Sequence, residues 1–283
     1  MHNSDLTTIR DWRSLGKFGL ETNSIELRAD STWDVKILRM LLSRHGILVF
    51  RNQLISDYEL IRFGRLIGNG VLEPSARKIS HGQIDKHVAY LTNLKGSDGI
   101  PLGFGGDTTD FWHSDQEFRE NPASLAVLYC VIPAPIGGET CFATTAVRHA
   151  NLRETRLPNL RELWSTRRPA KTHDNVPMIC TSHPVIFKNK ITNEEFLYVS
   201  ENTIDFEDED GRKVDCDRSE LLASILSEEN QYVHRWEAGD LILYDNTQLL
   251  HRRQEFSGIR LLKALKIFPD GDILTPPLGR QSI

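Results

Sequence analysis

Three potential metal ligands, His113, Asp115 and His251, are spaced so that two imidazoles and one carboxylate could surround a single ion. The first two lie in Phe111-Trp112-His113-Ser114-Asp115, and on a strand positions i and i+2 point to the same face, so both could aim into a barrel. His-x-Asp by itself fits a hydrogen-bonded surface pair equally well. The third follows the run His234 to Asn246, where a turn and a buried apolar strand, Leu241 to Tyr244, bring His251 to the same end of such a barrel. Two His and one carboxylate on one face of an octahedron leave three positions open, an arrangement suited to non-haem Fe(II). Zinc hydrolases more often use His-rich tetrahedral sites.

Beyond His251, the run Arg260 to Phe268 alternates, placing Arg260, Leu262, Ala264 and Lys266 on one face. If that face lines the barrel, a guanidinium stands near the metal, where its fork matches a carboxylate through two parallel bonds. Taken singly, Arg260 also fits an edge strand with its head in water. Gly137-Gly138-Glu139-Thr140 forms a tight turn that delivers the Thr140 hydroxyl to the start of a strand.

The elements that must position these groups follow from pattern. Short extended runs, Leu125 to Ile132, Thr140 to Thr145, His183 to Phe187, Phe196 to Ser200, Leu241 to Tyr244 and Arg260 to Phe268, predict a mainly β fold with flanking helices, a sandwich or barrel. Apolar spacing predicts a helix from about Thr32 to His45, stopped by Gly46 and followed by a strand from Ile47 to Phe50. Ser56 and Glu59 form a capping-box signature for a second helix through Ile61, Phe63, Leu66 and Ile67, ended by Gly68 and Gly70. A further strand is expected within His87 to Leu94, and further helices over Ala146 to Leu157 and Ser219 to Ser227. The glycine-rich stretch 95–110 and the segment 166–182 are expected to flank the pocket mouth as lids, and residues 1–283 are read as one domain.

Composition excludes several classes. With 39% hydrophobic and 26% charged residues among 283, the chain is not disordered, collagenous or a coiled coil. A net charge of -5 argues against duplex nucleic acid or an anionic membrane as the main partner. The stretch Met1 to Leu15 has no apolar run, so export is not expected, and the apolar stretch Leu125 to Ile136 is broken by Pro133 and Pro135, so a membrane span is not expected either. Four cysteines without C-x-x-C spacing fit a reducing cytoplasm. Acidic Asp205 to Asp210 reads as a solvated turn.

Together these pieces resemble the family of taurine dioxygenase and 2,4-dichlorophenoxyacetate dioxygenase, which are Fe(II)- and 2-oxoglutarate-dependent oxygenases. The resemblance rests on five ordered stretches: Arg44 to Gln53, Trp112 to Gln116, Val131 to Thr140, Ser182 to Val185, and Trp236 to Asn246 with His251. It implies a double-stranded β-helix, a cupin-like jelly roll. His113, Asp115 and His251 would bind Fe(II), Arg260 and Thr140 would hold the far carboxylate of 2-oxoglutarate, and O2 would be the oxidant. Asp245 and Asn246 would orient His251 from behind, and Trp112 would pack beside the site or simply in the core. The implied activity is hydroxylation of an unactivated C–H bond in a small organic molecule, with succinate and CO2 released; desaturation or cyclisation uses the same centre. A homo-oligomer is implied as well.

One position departs from the family pattern. Four residues beyond the 2-oxoglutarate arginine, sulfonate- and aryloxyacetate-using members carry a second Arg that holds the substrate's acid group; here that position is Ala264. Taurine and chlorophenoxyacetate are therefore not the expected substrates. Lys266, Lys171, His173, Arg77 and Lys78 are candidate anion contacts, and Asn93 and Thr109 candidate polar contacts to substrate. The alternative from another class is a cupin-like metal or small-molecule binding protein without redox turnover, which would need neither Arg260 nor Thr140.

Overall fold

A computed structural model describes residues 11–28, 31, 33–69, 72, 85–103, 110–152, 159–168, 180–268 and 278–281. Its largest sheet has the strand order Arg13–Ser14, Leu20–Thr22, Ile47–Phe50, Leu241–Asp245, Leu125–Ile132, Leu261–Ile267 and Ala89–Thr92. A second sheet joins Gln231–His234, Thr140–Thr144 and Leu249–Arg253, all antiparallel. A third contains Thr203–Glu207, Trp164–Arg167, Thr181–Pro184 and Arg280–Gln281.

Period-two alternation divides the large sheet between two cores. Ile47, Val49, Ala126, Leu128, Ile242, Tyr244, Leu262 and Ala264 point inward and meet Phe142 and Leu249 from the second sheet. Leu48, Phe50, Val127, Leu243, Leu265 and Ile267 point outward, under the helices Val35–His45 and Asp57–Ile67. The second sheet turns Cys141, Ala143 and Leu250 the other way, against Leu221, Leu222 and Ile225 of the helix Arg218–Ile225. The result is mainly β, two facing sheets with helices outside. No helix among the described residues is long and apolar enough to cross a membrane.

The helices begin and end for local reasons. Asp34 accepts from the N–H groups of Lys36 and Ile37, and Gly46 closes that helix at φ +74. The Ser56–Glu59 capping box is present in both directions. The helix expected over Ala146 to Leu157 shrinks to one 3-10 turn, Val147–His149, within the described residues, because Ala150 turns extended and Asn151 donates its N–H to Ser224 O. The described ends of the 166–182 segment belong to strands, Trp164–Arg167 and Thr181–Pro184, rather than to a lid. Residues 104–109 of the glycine-rich stretch and 169–179 lie outside the described residues.

Candidate active site

His251 sits on the strand Leu249–Arg253 with Leu249 and Arg253 sharing its inward face. His113 meets it through a reciprocal bridge: His113 N–H donates to His251 O at 3.1 Å, and His251 N–H donates to His113 O at 2.9 Å. The strand expected through His113 and Asp115 is reduced to this bridge. Asp115 instead opens a turn, and Gln116 behind it takes φ +57. Register with the far strand, rather than simple alternation, therefore aligns the pair. Ligand atoms of His113, Asp115 and His251 all lie within 4.8 Å of one another.

Each member is held by further contacts. Asn246 clamps the Asp115 backbone, accepting from its N–H at 2.8 Å and donating to its carbonyl at 2.9 Å. The Asp115 Oδ2 accepts from Tyr244 OH at 2.7 Å and from Lys266 Nζ. Both donors fall on that one oxygen, and no side chain among the described residues donates to Oδ1. Burial would raise the Asp115 carboxyl, but the Lys266 ammonium, with His251 and His113, holds it well below the usual carboxylate range. Burial, then the charge on Asp115, keeps the Tyr244 phenol protonated far above its ordinary value.

The imidazoles are prepared as donors of lone pairs. His113 Nδ1 lies 2.9 Å from Phe111 O, and a carbonyl only accepts, so Nδ1 carries the proton and Nε2 is open. Burial, reinforced by His113 and opposed by Asp115, pushes His251 down to about 3, leaving it neutral at ordinary pH. Its Nε2 lies 3.6 Å from Asp115 Oδ2, while its buried Nδ1 has no partner among the described residues. Phe142 and Tyr244 pack around the ring at 6.0 and 5.2 Å. A neutral His251, the Nε2 of His113 and an ionised carboxylate with a spare oxygen are donors of the kind that a divalent first-row cation takes.

A second polar group lies at the other end of the inner wall. Arg260 is 5% exposed, makes no ion pair among the described residues, and leaves its buried Nε without a partner. Burial, then Arg253, lowers it to about 10, still charged at neutral pH. A buried cation in this condition is costly unless an anion joins it. Its backbone is pinned: Thr92 Oγ1 donates to Arg260 O at 2.6 Å and Arg260 N–H donates to Asn93 Oδ1 at 3.1 Å. Gly137 and Gly138 turn beside it at φ +68 and +78, and a Cβ on Gly138 would stand 3.3 Å from Arg260 Nε. The turn leads to Thr140, whose Oγ1 accepts from Trp236 Nε1 at 3.0 Å, leaving its O–H to donate elsewhere. An unpaired guanidinium and a free hydroxyl proton suit a carboxylate.

Other sequence candidates fall variously. Asn93 fastens the Arg260 turn, donating also to Gly258 O at 2.9 Å. Ala264 is buried on the inner face, and Lys266 on the same face reaches Asp115. Asp245 hydrogen-bonds Thr247 and Gln248, and Asn246 holds Asp115, so neither reaches His251. Trp112 packs in the outer core under Arg252. Thr109, Arg77, Lys78, Lys171 and His173 lie outside the described residues. Sequence reasoning missed Tyr244 and the Trp236 N–H; the inward alternation of Leu241–Asp245 was the available signal for Tyr244.

Comparison with known proteins adds a family. The model of the taurine catabolism dioxygenase TauD, TfdA family matches residues 11–265. The alpha-ketoglutarate-dependent 2,4-dichlorophenoxyacetate dioxygenase of Cupriavidus pinatubonensis is 25% identical over 279 residues, covering 89% of this chain and 95% of that protein. The alpha-ketoglutarate-dependent sulfate ester dioxygenase of Pseudomonas putida is 25% identical over 260 residues, 83% of this chain and 81% of that protein. Among solved structures, AAD-2 in complex with Mn(II) and N-oxalylglycine shares the fold at TM-score 0.72 and 20% identity, covering 93% of this chain and 98% of the other.

Proposed function

The chain belongs to the taurine catabolism dioxygenase TauD, TfdA family, and on that premise we propose that it hydroxylates an unactivated C–H bond of a small organic molecule. It is a 2-oxoglutarate-dependent dioxygenase whose cofactors are Fe(II), 2-oxoglutarate and O2. One oxygen atom enters the substrate and the other enters succinate as CO2 is lost. Ferrous iron supplies the O2-activating chemistry, held by His113, Asp115 and His251. Arg260 pairs with the far carboxylate of 2-oxoglutarate and Thr140 donates its hydroxyl proton to the same group. Tyr244 and Asn246 keep Asp115 aimed, one through its carboxylate and the other through its backbone.

The finer reading has these supports. Two facing sheets favour a jelly roll, and strands from both ends of 1–283 in one sheet favour a single domain. Free cysteines favour the cytoplasm, and the family resemblance favours a homo-oligomer. Ala264 gives the pocket a small apolar wall, so the substrate's acid group, where it has one, is not gripped from that position.

The observation that carries the proposal is the approach of three ligand atoms, drawn from two distant stretches of chain, to within 4.8 Å. Anaerobic mixing with Fe(II) and 2-oxoglutarate should give the weak visible band of a chelated keto acid. In Arg260→Ala the band should require about 100-fold more 2-oxoglutarate, as expected when one partner of a buried charge pair is removed. Metal binding without any band would instead favour the non-redox cupin-like reading.

A further inference from the structure

We propose that Lys266 weakens the hold of the site on its metal by standing as a second cation on Asp115. The inference rests on the metal-site reading above and goes beyond it, to what sets the affinity. Lys266 Nζ contacts Asp115 Oδ2, the oxygen that also accepts from Tyr244 and lies 3.6 Å from His251 Nε2. A divalent ion bound through Oδ1 would sit across one carboxylate from an ammonium; bound through Oδ2, it would contest the same oxygen. Either way the two positive charges repel over a few ångströms in a poorly solvated wall, while Asp115 brings only one negative charge to share.

Lys266 is not needed to aim the carboxylate. Asn246 fixes the Asp115 backbone at both its N–H and its carbonyl, and the Tyr244 hydroxyl fixes Oδ2. Removing the ammonium therefore leaves an oriented, better donor. The strand dictates where Lys266 points: it follows Leu262 and Ala264 on the inner face of Leu261–Ile267, and the opposite face is occupied by Leu265 and Ile267 in the outer core.

Mn(II) titrated into the full chain after chelator treatment, with free ion read by electron paramagnetic resonance, measures affinity without turnover. Lys266→Met and Lys266→Gln should bind at least about tenfold more tightly than wild type, and Lys266→Arg, which keeps the charge, should stay close to wild type. Unchanged or weaker binding in both neutral variants overturns the proposal. Wild type provides a readout that needs no variant: amine labelling of Lys266, followed by peptide mass, should be faster with saturating Mn(II) than without it. Equal or slower labelling contradicts the proposal. Failure of wild type to bind Mn(II) at all removes the metal-site reading and this inference with it. Binding by wild type with no gain in the neutral variants removes this inference alone.

Discussion

On opposite faces of the strand Leu261–Ile267 the chain builds the same trio twice. Outside, Lys263 pairs with Asp57, which also accepts from Tyr90 OH at 3.3 Å; inside, Lys266 pairs with Asp115, which accepts from Tyr244 OH at 2.7 Å. Each phenol is held protonated by burial and then by its carboxylate, Tyr90 at about 12 and Tyr244 well above the ordinary value. The difference lies in how the carboxylates are used. Asp57 divides its donors between Oδ1 and Oδ2, whereas Asp115 takes both on Oδ2 and has two imidazoles beside it. A lysine, an aspartate and a tyrosine thus make an anchor for a helix on one side. On the other, a spare oxygen and two histidines make a ligand set.

The sharpest way to break this contrast is to remove each carboxylate. Asp115→Ala should cut succinate formation by about a thousandfold or more, since a bound metal contributes several kcal/mol to catalysis. Asp57→Asn should leave succinate formation within a few-fold of wild type while lowering unfolding stability by about 1–3 kcal/mol, the cost of leaving buried polar groups unsatisfied. Equal loss of activity in both would mean that the two faces do not differ in the way described. A finer cut compares the phenols. Tyr244→Phe should weaken Mn(II) binding about tenfold, the low end for an outer contact to a ligand. Tyr90→Phe should leave that affinity unchanged and register only in melting, by about 1 kcal/mol.

Part of the inner face was legible in the chain itself, whereas Tyr244 and the outer trio of Asp57, Lys263 and Tyr90 were not. Alternation from Arg260 placed Lys266 on the inner face, and the apolar run before His251 placed that residue at the same end as His113 and Asp115. The Ser56–Glu59 box opened its helix where the spacing put it. What escaped were interactions between residues far apart in sequence. The His113–His251 bridge replaced an expected strand because backbone pairing across 138 positions, not local pattern, sets the register of His113. Asn246 looked like a support for His251 and instead holds Asp115, since the direction of an amide follows the turn it sits in. The expected helix after Ala146 ended early for a related reason: Ser224 O, from another element, takes the Asn151 N–H that would have extended it.

The claim on which the rest depends is that His113, Asp115 and His251 share one ion on the inner face. Crystals of the full chain soaked in Mn(II) and measured at an energy where manganese scatters anomalously would test it directly. We expect one strong peak bounded by both histidine rings and Asp115, with positions left open on the side of Arg260. A peak elsewhere, or an ion enclosed by four protein ligands, would contradict it.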